Sequence, residues 1–459
     1  MSQVEKIQEV PRENKMGTMH VNKLLISMSL PMMISMLVQA LYNIVDSIFV
    51  AMINEQALTA VSLAFPIQTL MIALAGGTGV GVNALLSRAL GEKNEKKASE
   101  VAKQGVFLAI ISYLVFYLVG VFGVAPFIYS QTDDQLIAAY GIEYLSIICI
   151  FSFGIFIQIM FERLLQSTGK TMYSMGTQLV GAIINLILDP ILIFGLFGMP
   201  ELGVTGAAVA TVIGQVAAGI TAIIFNMKKN NEIDLKGGRF KPSAKVIVQI
   251  YKIGVPSIIM QSIGSIMVYT MNQILMTFSS TATAVFGVYF KLQSFIFMPL
   301  FGFNNGMVPI IAYNYGAKNK DRLLETVKLS IKYAFIIMTF GFIIFNIIPD
   351  KLLMLFKASD EMMSMGVPAL RIISIHFMLA TFPIIYGSLF QAVGNAVYSM
   401  ITSICRQLVV LLPAAYLLSL LGEVNFVWWA FPIAEFASVT MTAIFKKITF
   451  KNVIDKIGA

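Results

Sequence analysis

Long apolar runs follow one another along almost the whole chain, and they constrain its fold more than any other feature. A helix that crosses a membrane needs about 20 predominantly apolar residues. The runs fall at residues 23–51, 57–85, 103–127, 136–160, 173–197, 204–226, 246–275, 282–310, 328–349, 363–388, 396–421 and 425–446. The strand-like alternation of apolar and polar residues is missing, which excludes a transmembrane β-barrel. The pattern predicts an all-α integral membrane protein with twelve transmembrane helices.

The composition agrees with a chain that is mostly embedded in a bilayer. Hydrophobic residues make up 57% of its 459 residues and charged residues 12%, whereas soluble domains carry about 25% charged residues. Twelve spans leave no room for a separate soluble domain. The first 20 residues are polar and charged, unlike a secretory leader. Cys149 and Cys405 lie inside apolar runs, so no structural disulfide is expected.

Basic residues are concentrated on one side of the predicted bundle. The connections after even-numbered spans and the tail hold Lys93, Lys96, Lys97, Lys103, Arg163, Lys170, Lys228, Lys229, Lys236, Arg239, Lys241, Lys245, Lys318, Lys320, Arg322, Lys446, Lys447, Lys451 and Lys456. In the odd connections only Lys351 and Lys357 break this pattern. The positive-inside rule then predicts that both termini are cytoplasmic. The net charge of +8 therefore reflects topology, and nucleic acid is not an expected partner.

The chain repeats itself at a shift of 225 residues. Pro31 of span 1 corresponds to Pro256 of span 7. The sequence Gly-Glu-Lys-Asn at 91–94 corresponds to Gly-Ala-Lys-Asn at 316–319, and the Gln-x-x-Gly turn at 166–169 to the turn at 391–394. The shift covers six spans, an even number, so both copies have the same orientation in the membrane. Such parallel repeats are related by an axis along the membrane normal.

The repeat predicts two six-helix lobes around a central cleft, an architecture suited to alternating access. The expected organisation is a cytoplasmic segment at 1–22, a first lobe at 23–226, a linker at 227–245, a second lobe at 246–446 and a cytoplasmic tail at 447–459.

The doubled six-span plan, the proline in spans 1 and 7, the Gly-x-Lys-Asn connections and the Gln-x-x-Gly turns together resemble the MATE (multidrug and toxic compound extrusion) family. The resemblance covers nearly the whole chain. It implies a secondary transporter, driven by Na⁺ or H⁺, that exports amphipathic and often cationic organic compounds.

In the first lobe we single out two acids within apolar spans as candidate site residues, Asp46 and Asp189, because charged groups there mark functional sites by default. Asp46 shares one helical stripe with Gln39 and Asn43, at spacings of seven and three residues. Asp189 follows Asn185 by four residues in span 5, again on one face. Their oxygens, with that of a hydroxyl from span 6, suit a hard monovalent cation or one proton shared between the acids.

The resemblance places the first-lobe cation site on residues that match Asp46, Asn185, Asp189 and Thr211. It implies Na⁺ or H⁺ as the coupling ion, with Asp46, Asn185 and Asp189 as possible Na⁺ ligands and no other cofactor. A structural interpretation stays open: Asp46 as an interfacial acid, Asp189 as a helix-break residue, and Asn185 and Thr211 as interhelical hydrogen-bond partners. Pro31 predicts a kink in span 1, either static or linked to ion binding at Asp46.

The second lobe does not repeat these acids, because Met271 and Ala414 stand at the equivalent positions. It carries instead the charged or titratable residues Lys291, Arg371, His376, Arg406 and Glu435. We expect Glu435 to pair with one of the basic residues or to meet water in the cleft. His376 is expected to be a hydrogen-bonded core residue. Lys291, Arg406 and Glu435, with Gln39, Asn43 and Pro31, are the candidate supporting residues of a substrate pocket.

The motifs that are missing exclude several classes of protein. A P-loop is not present, and two histidines without a Cys/His cluster cannot build a transition-metal site. No nucleophile–base constellation suggests an enzyme. We therefore expect a monomeric antiporter in the inner (plasma) membrane. The alternative is a flippase for lipid-linked oligosaccharide or lipid, in which Lys291, Arg371 and Arg406 would meet a pyrophosphate headgroup.

Overall fold

The computed structural model describes residues 14–237 and 240–458, and within these ranges the chain forms helices and no strand. Eleven helices are individually long and apolar enough to cross a membrane, and one pair bent by 45° makes a twelfth span. In the first repeat they are α1 Val21–Ala51, α2 Glu55–Gly91, α3 Glu95–Tyr129, α4 Gln135–Ile150 with Phe153–Ser167, α5 Thr171–Phe194 and α6 Gly203–Lys229. In the second they are α7 Ala244–Met276, α8 Ser280–Gly316, α9 Lys320–Ile347, α10 Asp360–Ala392, α11 Ala396–Ser419 and α12 Val424–Lys456. The two repeats form two lobes around a central cleft.

Two predicted span ends need correction. The second part of α4 continues to Ser167, so Glu162 and Arg163 belong to a helix and not to the connection after it. Helix α12 continues beyond residue 446, so the predicted tail begins as helix. Hydropathy falls at these charged residues although the backbone stays helical. Of the predicted segment 1–22, residues 1–13 lie outside the described residues.

Small residues bring the two lobes together along one side of the bundle. We call this the basic side, because it carries the connections at 92–94, 168–170 and 317–319. A Cβ atom on Gly77 of α2 would lie 2.4 Å from a side-chain carbon of Ile258 in α7. A Cβ atom on Gly302 of α8, which is Gly77 shifted by 225, would lie 2.4 Å from the backbone oxygen of Met32 in α1. The crossings of α2 with α7 and of α8 with α1 are therefore equivalent.

The Gly-x-Lys-Asn motifs mark a third crossing, between the ends of α2 and α8. A Cβ atom on Gly91 would lie 1.9 Å from the backbone oxygen of Tyr313, and one on Gly316 would lie 2.1 Å from the backbone oxygen of Arg88. Any larger side chain would separate these helices. The repeated glycines are thus explained by backbone contact between the lobes.

The short helix Lys15–Thr18 bridges both lobes on the basic side. The Asn14 side chain donates a hydrogen bond to the backbone oxygen of Thr168 in the first lobe (3.1 Å). In the second lobe, Arg322 Nη2 donates to the backbone oxygens of Met16 (3.2 Å) and Met19 (2.7 Å). This segment therefore ties the two lobes together where they meet.

Candidate functional site

Glycines set the close packing of α5 against α6 in the first lobe. A Cβ atom on Gly206 would lie 2.4 Å from the backbone oxygen of Leu192, and one on Gly214 would lie 2.8 Å from that of Gly181. The two backbones approach this closely on both sides of the polar residues of α5. Side chains from the facing turns are consequently held in contact.

Three of the four predicted cation-site residues meet at this crossing. Asn185 Nδ2 lies 3.3 Å from Asp189 Oδ1 and 3.4 Å from Thr211 Oγ1, and it is the donor in both contacts. All three side chains are buried, and the exposed fraction of Asp189 is 0%. The structure thus joins Thr211, on another helix, to the pair on α5.

Asp46 completes the group from α1. Its carboxyl group interacts electrostatically with that of Asp189. Asp46 Oδ1, Asp189 Oδ2 and Asn185 Oδ1 are buried, and no described residue donates a hydrogen bond to any of them. Buried polar atoms are normally hydrogen-bonded. Three buried oxygens without a donor, on side chains that interact with one another, therefore fit a bound proton or a small monovalent cation. Among the described residues, no cluster of three or more His, Cys, Asp or Glu side chains is suited to a metal ion.

The other predicted residues of α1 do not join this group. Gln39 and Asn43 lie on the exposed surface of the helix. Pro31 lies about four helical turns from Asp46, towards the basic side. It is buried, and the helix continues through it.

Two tyrosines that the sequence analysis missed line the acid pair. Tyr42 and Tyr144 both interact electrostatically with Asp46 and Asp189. The Tyr144 hydroxyl accepts a hydrogen bond from Gln68 Nε2 (3.1 Å). Tyr42 precedes Asp46 by one helical turn, which is a signal that the sequence does contain. For Tyr144 and Gln68 no sequence spacing points to the site.

A second buried acid, Glu162 in α4, was also missed. Its exposed fraction is 4%. Its carboxylate accepts hydrogen bonds from Gln158 Nε2 (3.0 Å), Thr177 Oγ1 (3.0 Å) and Gln178 Nε2 (2.8 Å). Because the predicted span 4 ends at residue 160, hydropathy alone does not mark this residue as a buried charge.

The expectation that Glu435 pairs with a basic residue is confirmed. Arg406 Nη1 donates to Glu435 Oε2 (3.2 Å). His376 is a buried, hydrogen-bonded residue, as expected. Its partner is the Tyr289 hydroxyl. Lys291 and Arg371 are exposed and lie outside this cluster. Cys149 and Cys405 are free thiols, which confirms that they form no disulfide.

The sequence profile of the MatE family matches this chain twice, at residues 31–191 and 256–417. The chain belongs to the MatE family. The two matches begin 225 residues apart, at the two prolines of the internal repeat. This places the chain among transporters and not among enzymes.

Curated relatives match most of the length of the chain. The multidrug export protein MepA of Staphylococcus haemolyticus (strain JCSC1435) is 29% identical over 419 residues, which cover 90% of each chain. MepA of Staphylococcus aureus (strain MRSA252) is 28% identical over 425 residues, which cover 90% of this chain and 91% of the relative.

Solved structures of the family have the same fold. An outward-facing multidrug resistance MATE family transporter of the MOP superfamily superposes with a TM-score of 0.91 at 25% identity, covering 97% of this chain and 99% of that one. A MATE structure in the bent conformation has a TM-score of 0.88 at 25% identity, covering 96% of this chain and 97% of that one. The twelve-helix, two-lobe architecture is therefore shared with these transporters.

Proposed function

We propose that this protein is a secondary antiporter that exports amphipathic, cationic organic compounds in exchange for Na⁺ or H⁺. The observation that supports it best is the group of three buried oxygens on Asp46, Asn185 and Asp189 that lack a hydrogen-bond donor. Two neighbouring carboxylates repel each other unless a proton or a cation is bound with them. An ion-binding group is what a gradient-driven exporter needs in addition to a cleft.

Coupling follows if the ion binds with different affinity in the two states of the cleft. In this structure the lobes meet along the basic side, at Gly77, Gly91, Gly302 and Gly316. By the positive-inside rule we assign that side, and both termini, to the cytoplasm, so the cleft of this state opens outward. Ion binding between α1 and α5 would change how α1 packs, and Pro31 gives α1 a point at which to bend.

The substrate class rests on the relatives, which are named as multidrug export proteins. The chain contains 28 methionines and 34 phenylalanines, and such side chains adapt to ligands of many shapes. We assign the protein to the plasma membrane of a bacterium and expect it to act as a monomer. The relatives do not favour the flippase alternative, and Arg406 is already paired with Glu435.

Transport in proteoliposomes tests the proposal. An imposed H⁺ or Na⁺ gradient should drive a cationic dye across the membrane, and Asp189→Asn and Asp46→Asn should each abolish the gradient-driven component. Asp133→Asn is the matched control, because Asp133 is exposed in the connection between α3 and α4. Gradient-driven transport that survives in both acid variants would overturn the assigned ion site. If neither gradient drives the dye and the protein instead flips a lipid-linked sugar, the proposal that it is an exporter is wrong.

Two further comparisons sharpen this test. A Na⁺ gradient imposed at constant pH, and an H⁺ gradient imposed without Na⁺, show which ion is coupled to transport. Thr211→Ala should weaken coupling because its hydroxyl contacts Asn185, whereas Thr221→Ala on the same helix should not. The Thr221 hydroxyl bonds only to the backbone oxygen of Ala217 within its own helix (2.8 Å).

A further inference from the structure

The charged cluster of the second lobe is organised around one carboxylate oxygen. Glu435 of α12 is buried, with an exposed fraction of 2%. Its Oε2 atom is contacted by Arg406 Nη1 of α11 at 3.2 Å and by His376 Nδ1 of α10 at 3.4 Å. Its Oε1 atom is buried and receives no hydrogen bond from any described residue. One carboxylate oxygen is thus contacted by two basic side chains while the other oxygen stays without a donor.

The hydrogen bonds beyond His376 are linked to its protonation state. The Tyr289 hydroxyl donates to Gln293 Oε1 at 2.6 Å and lies 3.1 Å from His376 Nε2. A hydroxyl has one proton, so Tyr289 can only accept from His376 in this arrangement. Nδ1 of the same ring faces the Glu435 carboxylate, which also only accepts. Both ring nitrogens therefore face acceptors, and the ring satisfies them when it carries two protons.

The same network accommodates the neutral ring after one local rotation. If the Gln293 amide turns by about 180°, its nitrogen donates to Tyr289, Tyr289 donates to Nε2, and only Nδ1 keeps a proton. The network can thus take up or release one proton without any backbone movement. A network with two satisfied arrangements is what a reversible proton site requires.

The site is enclosed by aromatic rings. Phe297 stacks on the His376 ring with centroids 5.9 Å apart, and Phe377 and Phe431 lie at 5.1 Å and 6.0 Å. The titratable groups that face His376 are Tyr289 from α8, Arg406 from α11 and Glu435 from α12. Within the described ranges, no other helix packed against α10 brings a titratable side chain into hydrogen-bond or ion-pair contact with the ring.

The internal repeat relates this cluster to the cation site of the first lobe. Gln293 is Gln68 shifted by 225, and Gln68 bonds to Tyr144 beside the acid pair. Glu435 is Ala210 shifted by 225, and Ala210 precedes Thr211. The second lobe therefore carries a chemically different ionisable group beside positions that correspond to the surroundings of the proposed ion site in the first lobe.

We propose that His376 and Glu435 form a second proton-binding site, in the second lobe. Protonation of His376 strengthens its hold on Glu435 Oε2 and weakens that of Arg406, whose side chain is 28% exposed. Proton uptake thereby releases a positive charge at the edge of the cluster, where it would oppose a cationic substrate. Only this last consequence rests on the proposed transport function.

Histidine NMR tests the site directly, because the chain has two histidines, His20 and His376. His20→Gln leaves His376 as the single signal in protein labelled with ¹⁵N-histidine and held in lipid nanodiscs. We expect the ring to pass from two protons to one between about pH 5 and pH 9. We also expect Glu435→Gln to move this transition to lower pH by about one unit or more. A ring that keeps one protonation state over the whole range overturns the proposal, and this result needs no folded variant of Glu435.

Asp189→Asn in the same background separates the two proposals. His376 should still titrate there, because its partners all belong to the second lobe. If gradient-driven dye transport is independent of Asp189 while His376 titrates, the first-lobe ion site fails and the second-lobe site stands. If Asp189 controls transport while His376 does not titrate, the second-lobe site alone fails.

Discussion

Arg163 of the first repeat donates a hydrogen bond from Nη1 to Oδ1 of Asn305 in the second repeat, at 2.9 Å. The same nitrogen donates to Gln166 Oε1, also at 2.9 Å. Gly79 makes room for the arginine, because a Cβ atom there would lie 2.7 Å from Arg163 Cγ. The bond between Arg163 and Asn305 crosses from one lobe to the other. It must therefore break when the lobes separate on the basic side.

Asn305→Ala should shift the protein towards a state in which the lobes are apart on this side. A hydrogen bond to a charged group contributes about 1.5–3 kcal/mol, which changes the ratio of two states by roughly tenfold or more. Spin labels at Lys96→Cys and Asp321→Cys, in a background without the two native cysteines, report the distance between the lobes. Asn346→Ala is the control, because Asn346 bonds to Ser374 within the second lobe (3.0 Å). If both variants give the same distances, Asn305 does not hold the lobes together.

Gly91→Leu should open the basic side more strongly than the loss of one hydrogen bond. The new side chain would start 1.9 Å from the Tyr313 backbone oxygen, and backbone cannot move aside as a flexible side chain can. The same spin-label pair should report long distances as the main population. Gly287→Leu serves as control, because Gly287 is an exposed glycine of α8 with no atom within 4 Å of its Cβ position. An unchanged short distance in the Gly91 variant would show that the close approach of Gly91 to Tyr313 does not hold the lobes together on the basic side.

Glu162→Ala should lower the stability of the first lobe. It removes the acceptor of the Gln158 and Gln178 side-chain amides, whereas the Thr177 hydroxyl keeps the backbone oxygen of Ser174 as acceptor (2.7 Å). Each buried donor left unsatisfied costs about 1–3 kcal/mol. Thermal unfolding in detergent measures the loss, and Glu162→Gln, which keeps one acceptor oxygen, should lie between the wild type and the alanine variant. Glu143→Ala should have little effect, because Glu143 accepts an exposed hydrogen bond from Thr205 (3.0 Å). Equal unfolding temperatures for all variants would show that the Glu162 hydrogen bonds add no stability.

Asp234 should make the connection between α6 and α7 sensitive to acid. Hydrogen bonds from the backbone N–H groups of Gly237 and Lys236 hold the pKa of this exposed carboxyl below its usual range. Because the pKa is lowered in the folded state, Asp234 stabilises this connection at neutral pH. The stabilisation is lost as pH falls through that pKa, below about pH 4. Hydrogen exchange of residues 230–237, corrected for its intrinsic pH dependence, should show protection that disappears in acid. In Asp234→Ala the protection should be low and independent of pH; a wild type that behaves like this variant would refute the assignment.

The sequence by itself determined the number of spans, the parallel repeat and the two acids Asp46 and Asp189 of the first lobe. Hydropathy and helical spacing are local properties, so they place Asp46 and the pair Asn185 and Asp189 on their own helices without reference to any other part of the chain. The repeated Gly91 and Gly316 are also visible in the sequence, although the reason for them is not.

Only the tertiary structure decided which helices bring their polar groups together. Thr211 reaches Asn185 because glycines allow α5 and α6 to touch, and Glu162 is accommodated inside a helix because three neutral donors from α4 and α5 surround it. His376 joins Tyr289 and Glu435 across three helices that lie far apart in the chain. Such contacts depend on the crossing depth and rotation of whole helices, which no local pattern encodes.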